Sequence, residues 1–320
     1  MKMSKNKNLL GIIVLLICSL IWGSTFIAQK FASNDIEPFL FTGTRFILGG
    51  VIILPFALFF YKKDVKEEKQ INKKSLLFGG IICGLFLALA SWSQQVGIGE
   101  TTVSKAGFIT GLYTVFVPIF AFIFFKQKNG INVVIGVILA TLGLYFISMI
   151  NAGPLSLQFG DLMLLLSALL FTFQIISVDY FSRKNNAICL SCLQMFTCGL
   201  LCMILSLIFE KNSLEGIIKS IGPILYAGIM SSGIAYTFQV IGQKLCKNPT
   251  VSTLVMSLES VFSCIFGLII LNESLTCYEI VGCIMMFFAI IISQISFRFK
   301  RFKFLKDRKK DESNGNHIDL

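Results

Sequence analysis

The chain has 320 residues, of which 55% are hydrophobic and only 14% charged, and it carries a formal net charge of +11. A soluble domain of this length could not hide so much apolar surface, so the composition excludes an ordinary cytosolic enzyme and reads as an integral membrane protein. The positive charge is spread over short segments between apolar runs, which is a topological signal rather than a nucleic-acid-binding face.

Spanning about 30 Å of hydrocarbon takes roughly 20 helical residues. Ten apolar segments of that kind follow one another: 9–29, 39–61, 76–97, 104–125, 132–150, 160–181, 188–209, 221–242, 250–271 and 277–297. Strand-like alternation is absent, and helices satisfy every backbone amide within their own segment. The predicted fold is therefore an all-α polytopic membrane protein with ten transmembrane helices. Residues 1–28 resemble a signal peptide, but Trp22 to Ala28 continue into a unit with a counterpart at 171–177, which predicts an uncleaved first helix.

The connections are short. Lys62 to Lys74 form the longest, Asn151-Ala152-Gly153-Pro154 turns between two halves, and a basic, then polar tail follows Arg298. With the amino terminus inside, 23 of 28 Lys and Arg fall in cytoplasmic segments, including eight between Arg298 and Lys310. That asymmetry predicts an even number of spans in the cell membrane with both termini cytoplasmic. The tail, where Phe297, Phe299, Phe302 and Phe304 interleave with the cations, reads equally as a lipid contact or a stop-transfer cluster.

Landmarks recur at a nearly constant offset. Gly11 and Ile21-Trp22 answer Gly160 and Leu170-Phe171 at 149 residues. Gly80-Ile81 and Thr102-Val103-Ser104 answer Gly228-Ile229 and Thr250-Val251-Ser252 at 148. Leu112, Val115-Phe116, Ile119-Phe120 and Gly136 answer Leu258, Val261-Phe262, Ile265-Phe266 and Gly282 at 146. A shared order at nearly fixed spacing signals duplication, with a first five-helix repeat over 1–150, a second over 151–297 and a tail over 298–320. Five spans per copy is odd, so the second copy must lie inverted, and exchanging the conformations of two inverted copies converts an inward-open cavity into an outward-open one.

These residues resemble the EamA-type transporters of the drug/metabolite transporter superfamily. The carrying segments are Trp22-Gly23-Ser24-Thr25-Phe26, Thr44-Arg45-Phe46, Lys105-Ala106-Gly107-Phe108 with Tyr113 and Val117-Pro118, Gly160-Asp161, Leu258-Glu259-Ser260-Val261-Phe262 and Leu271-Asn272-Glu273-Ser274-Leu275. The resemblance implies a ten-helix carrier, commonly an exporter of amino acids or other metabolites, with a central cavity lined by helices 1, 3, 4, 6, 8 and 9 and with helices 5 and 10 peripheral. Two departures stand out. Gln127 occupies the counterpart position of Glu273, and Glu259 is followed by Ser260 where many relatives have proline, which puts a proline-based gating bend in doubt.

Glu259 is the leading site candidate. It lies about 13 Å along its helix from Thr250, near the bilayer centre. A carboxylate facing lipid there costs several kcal/mol, so it should face a partner or water, as a substrate or proton site or as a protonated structural donor. Tyr113 is its counterpart in the first copy. Pro118 deprives a carbonyl four residues back of its partner and favours a bend, serving as a gate or as a packing kink. Trp22, Ser24 and Thr25 on the first helix, Trp92, Gln94 and Gln95 on the third, and Tyr236, Gln239 and Gln243 on the eighth are expected to line the cavity or to bond helix to helix. Arg45 and Lys105 read as side chains snorkelling to the headgroups, with an anionic-substrate site as the alternative. Asp161 suits the amino end of its helix, and the pairs Gly80/Gly84 and Gly107/Gly111 suit close helix packing.

No cofactor or metal is implied. Cys189, Cys192, Cys198 and Cys202 share one helix, which cannot wrap four ligands around zinc, and read as small fillers. The expected partners are a small-molecule substrate and the lipid bilayer, without nucleic acid, and a homo-oligomer is compatible. An intramembrane enzyme lacks a legible constellation, because the only histidine is His317 in the tail. A channel is the other alternative, distinguished by non-saturating flux.

Overall fold

The structure, a computed structural model, describes residues 2–68, 71–148, 158–246, 248–270 and 277–294. The 151–154 turn, Glu273 and the tail 298–320 lie outside them. Among the described residues the fold is all-helical. We label the helices α1 (Lys2–Ala32), α2 (Pro38–Lys66), α3 (Lys73–Glu100), α4 (Val103–Phe125), α5 (Ile131–Ser148), α6 (Phe159–Ser182), α7 (Ala187–Phe209), α8 (Ile221–Cys246), α9 (Pro249–Ile270) and α10 (Cys277–Gln294), with a short helix Leu214–Lys219 before α8. Eight of them, all but α5 and α10, are long and apolar enough to cross a membrane; α5 and α10 are shorter apolar helices that pack along each other.

The helix starts are written in the sequence. Asn72, Thr102, Asn186 and Asn248 each accept a backbone N–H of the following turn with the side chain. Pro38 and Pro249 open α2 and α9, where the missing N–H costs nothing. At α6, Asp161 Oδ2 reaches back to accept the backbone N–H of Gln158 at 3.1 Å. Helix α2 runs past its apolar stretch to Lys66, with Lys63 paired to Glu67 one turn on.

Large apolar side chains such as Phe59, Phe124, Leu207 and Phe287 point outward, while serines, threonines and glutamines fill much of the interior. That distribution suits a bundle in lipid, where buried polar groups bond helix to helix. Small residues set the approach distances: a Cβ placed on Gly84 would lie 2.4 Å from Cβ of Thr197, and one on Gly107 would lie 2.8 Å from Oγ of Ser263.

At the level of whole helices the close contacts recur, α3 packing on α7 as α8 packs on α2. Gly80 of α3 abuts Leu193 of α7, and Gly228 of α8 abuts Leu48 of α2. Where α2 meets α7, Gly43 faces Met203 and Gly199 faces Ile47. Helix α1 packs along α8 with Leu15 over Gly242, and α6 packs along α3 with Leu164 over Gly97.

Candidate functional site

Two helices are interrupted at corresponding places. Helix α4 loses its regular turn at Leu112 and resumes at Tyr113; α9 loses it at Ser257 and Leu258 and resumes at Glu259. The amides of Leu112 and Leu258 reach back only three residues, to Ile109 O at 3.2 Å and Val255 O at 3.3 Å. Neither interruption sits at a proline, since Pro118 lies inside the continuous segment Tyr113–Phe125 and α9 has Ser260 after its break. Two hydroxyls tie the broken helices together. Thr114 Oγ1 donates to Thr253 O at 3.4 Å, and Ser260 Oγ donates to Gly107 O at 2.7 Å.

Beside these breaks lies a narrow central cavity of about 20 Å³, room for about one water molecule, which must widen to take a solute. Its wall takes Trp22, Phe26 and Gln29 from α1, Arg45 from α2, Gln94 from α3, Thr110 and Tyr113 from α4, Phe171 and Ile175 from α6, Ser231, Tyr236 and Gln239 from α8, and Glu259 from α9. Three pairs of lining residues stand at the recurring sequence offsets, Trp22 with Phe171 and Phe26 with Ile175 at 149 residues and Tyr113 with Glu259 at 146. Ser231 belongs to a wide-turned π-helical stretch, Ala227–Ala235, which leads directly into Tyr236.

The cavity is polar in an unusual way. Of thirteen buried side-chain polar atoms without a hydrogen-bond partner among the described residues, five belong to four cavity residues: Trp22 Nε1, Arg45 Nε and Nη2, Tyr113 Oη and Glu259 Oε1. Each unpaired buried polar group costs about 1–3 kcal/mol, and more when charged. Their clustering in one wall marks a place that water or a ligand completes. Tyr113 and Glu259 lie close enough to interact electrostatically, although the phenol makes no well-formed hydrogen bond.

Glutamines border the cavity on two sides. On one, Gln29 Nε2 donates to Oε1 of both Gln94 and Gln95 at 3.2 Å, and Gln95 Nε2 donates back to Gln29 O at 3.0 Å. On the other, Gln174 Nε2 donates to Gln194 Oε1 at 3.2 Å, Gln239 Nε2 donates to Gln174 Oε1 at 3.0 Å, and Gln243 Nε2 donates to Ile175 O at 3.1 Å.

The expected site residues divide. Glu259, Tyr113, Trp22, Tyr236 and Gln239 line the cavity together. Gln95 lies next to it, binding Gln29 and facing a separate surface hollow with Asp35, Glu37 and Glu100. Thr25 is buried with its hydroxyl bonded to Ile21 O at 2.6 Å, Ser24 bonds Ile21 O and the Tyr226 hydroxyl, and Trp92 stacks on Phe39 with ring centroids 4.7 Å apart. None of these last three is among the cavity-lining residues.

Two cations do not snorkel. Arg45 is 1% exposed and lines the cavity, so α2 joins the expected lining helices. Lys105 turns to Asp161 at 2.8 Å, tying α4 to the start of α6. Lys30 likewise stays with the protein, donating to the carbonyls of Ile98, Gly99 and Thr101 at the end of α3. Gln29 was not singled out in the sequence, although its spacing from Trp22 and Phe26, by seven and three residues, puts all three on one helix face. The cysteines of α7 are buried and free.

A profile of the EamA-like transporter family matches residues 9–149 and again 158–294. The chain is 30% identical over 286 residues to an uncharacterized transporter of Archaeoglobus fulgidus, covering 89% of this chain and 86% of that one. It is 26% identical to the uncharacterized transporter YoaV of Bacillus subtilis, over 91% of this chain and 98% of the other. A solved crystal structure shares the fold with a TM-score of 0.70 at 14% identity, covering 89% of this chain and 96% of its own.

Proposed function

Since the chain belongs to the EamA-like transporter family, within the drug/metabolite transporter superfamily, we propose that it is a multi-pass membrane transporter rather than an enzyme and that it exports small organic metabolites across the cell membrane by alternating access. In this reading α1–α10 all span, the halves 1–150 and 151–297 are inverted copies, and both termini lie in the cytoplasm with the basic tail 298–320. The central cavity holds the solute between the two interrupted helices. The recurrence of whole-helix contacts between halves supports the inverted relation, and the concentration of Lys and Arg in alternate connections supports the orientation.

The observation that carries the proposal is the cluster of unpartnered buried polar atoms around a cavity at two matched helix breaks. A bundle built only for stability would satisfy such groups. The glutamine clusters on either side of the cavity act as opposing closures: hydrogen bonds between neutral amides break and re-form without exposing a charge to the membrane interior. Glu259 accepts and releases the coupling proton, facing Tyr113 across the cavity. Hydrogen-bond capacity and shape, rather than a cofactor, hold the solute.

The test compares intracellular and extracellular metabolites in cells expressing the wild type or Glu259→Ala at equal membrane abundance. Export predicts one compound class accumulating outside only with the wild type. Identical profiles would remove the exporter reading.

A further inference from the structure

The least expected lining residue is Arg45. Its side chain is essentially inaccessible from outside at 1% exposure, it lines the central cavity, and its Nε and Nη2 have no hydrogen-bond partner. Among the described residues no salt bridge includes it. The guanidinium carbon instead sits over the rings of Phe46 at 4.8 Å and Phe41 at 5.5 Å. Aromatic faces attract the cation but offer no acceptor for its in-plane N–H groups. Its other electrostatic neighbours are Tyr236, Cys198 and Cys202, none of them a carboxylate.

A buried cation left this way is costly, and replacing such a group by an apolar side chain of similar size is commonly neutral or stabilising. The arrangement is accounted for if an anion arrives to complete it. Nε and Nη2 lie side by side on one edge of the guanidinium, an edge that matches two oxygens of a planar carboxylate. The neighbouring wall is apolar and aromatic at Trp22, Phe26, Phe171 and Ile175, and Glu259 in the same cavity disfavours a second negative charge.

We propose that Arg45 is the anion subsite of the cavity and that the transported solute is a small organic monocarboxylate, its carboxylate on Nε and Nη2 and its apolar body against the aromatic wall. The proposal rests on the transporter reading for its physiological meaning, but binding is measurable without transport.

The test uses purified full-length protein in a Trp92→Phe background, which leaves Trp22 in the cavity wall as the only tryptophan. Acetate, benzoate and phenylacetate are each titrated against tryptophan fluorescence beside their neutral amides, acetamide, benzamide and phenylacetamide, at constant ionic strength. The expected result is saturable binding of at least one carboxylate at least tenfold tighter than its amide. That preference disappears in Arg45→Gln, while the thermal midpoint of Arg45→Gln and Arg45→Met stays level or rises. Absence of any carboxylate preference in the parent, or a preference that survives in Arg45→Gln, overturns the proposal. Should the Gln variant not fold, Arg45→Lys, which keeps the charge and loses the planar fork, must bind the carboxylate more weakly; equal binding overturns the proposal as well. A parent protein that exports metabolites but binds no carboxylate would sink the subsite alone, whereas carboxylate binding without any export would sink the exporter reading alone.

Discussion

Helices α4 and α9 break at matched positions, yet each resumes on a different residue: Tyr113 in the first half, Glu259 in the second. Neither interruption sits at a proline, and near each one a hydroxyl, of Thr114 or of Ser260, bonds across to the partner helix. The two residues differ in chemistry. One break offers a phenol and the other a carboxyl, so only one of the two breaks carries an acidic group that exchanges its proton near neutral pH in the proposed cycle.

Substitutions at the two positions should therefore have unequal effects. Glu259→Ala is expected to lower transport at least tenfold, about 1.4 kcal/mol or more in the free energy of the transport step, read as export at matched membrane abundance. Tyr113→Phe removes only a hydroxyl without a well-formed partner, so it should reduce export severalfold at most and leave its pH dependence in place. Equal losses at both positions would erase the distinction drawn here.

Smaller effects sharpen the shared geometry. Ser260→Ala deletes the 2.7 Å bond to Gly107 O and should cost about 1 kcal/mol of stability, seen as a lower thermal midpoint. Thr114→Ala, whose bond is the longer one at 3.4 Å, should cost less. The smallest expected effect lies at the membrane edge, where Glu210 accepts the amides of Phe39 at 2.6 Å and Leu40 at 2.9 Å. Burial raises its carboxyl above the ordinary glutamate range despite those bonds. The folded state then binds its proton more tightly than the unfolded one, so this contribution is present at low pH and is lost as pH rises through the raised value. Thermal midpoints of the wild type and Glu210→Gln across that range should draw apart in that sense by a small amount.

Much of the helical scaffold is legible in the sequence because apolar runs and asparagine caps are local signals. The matched breaks could be located only in part. The offset of 146 residues aligns Tyr113 with Glu259, but in the sequence Pro118 is what favours a bend, whereas the interruption lies six residues earlier at Leu112. Distance along a helix says little about which way a side chain points. Arg45, flanked by phenylalanine, read as a snorkelling cation until the packing of α2 against α7 and α8 turned it inward. Ser24 and Thr25 mislead for a related reason, since a hydroxyl bonded to its own helix carbonyl looks the same in sequence as one facing a cavity. Trp22 and Phe171, 149 residues apart, both reach the site, so the offset is a sequence signal by which Phe171 could be found from Trp22.

The most direct test of the account is flux of the exported solute from liposomes holding the wild type or Glu259→Gln, measured across a series of pH values. The account predicts that wild-type flux is saturable and changes with pH, and that Glu259→Gln retains the fold but carries a pH-independent, much reduced flux. Undiminished flux with the wild-type pH profile in Glu259→Gln would contradict it, leaving the carboxyl between the broken helices without a part in transport.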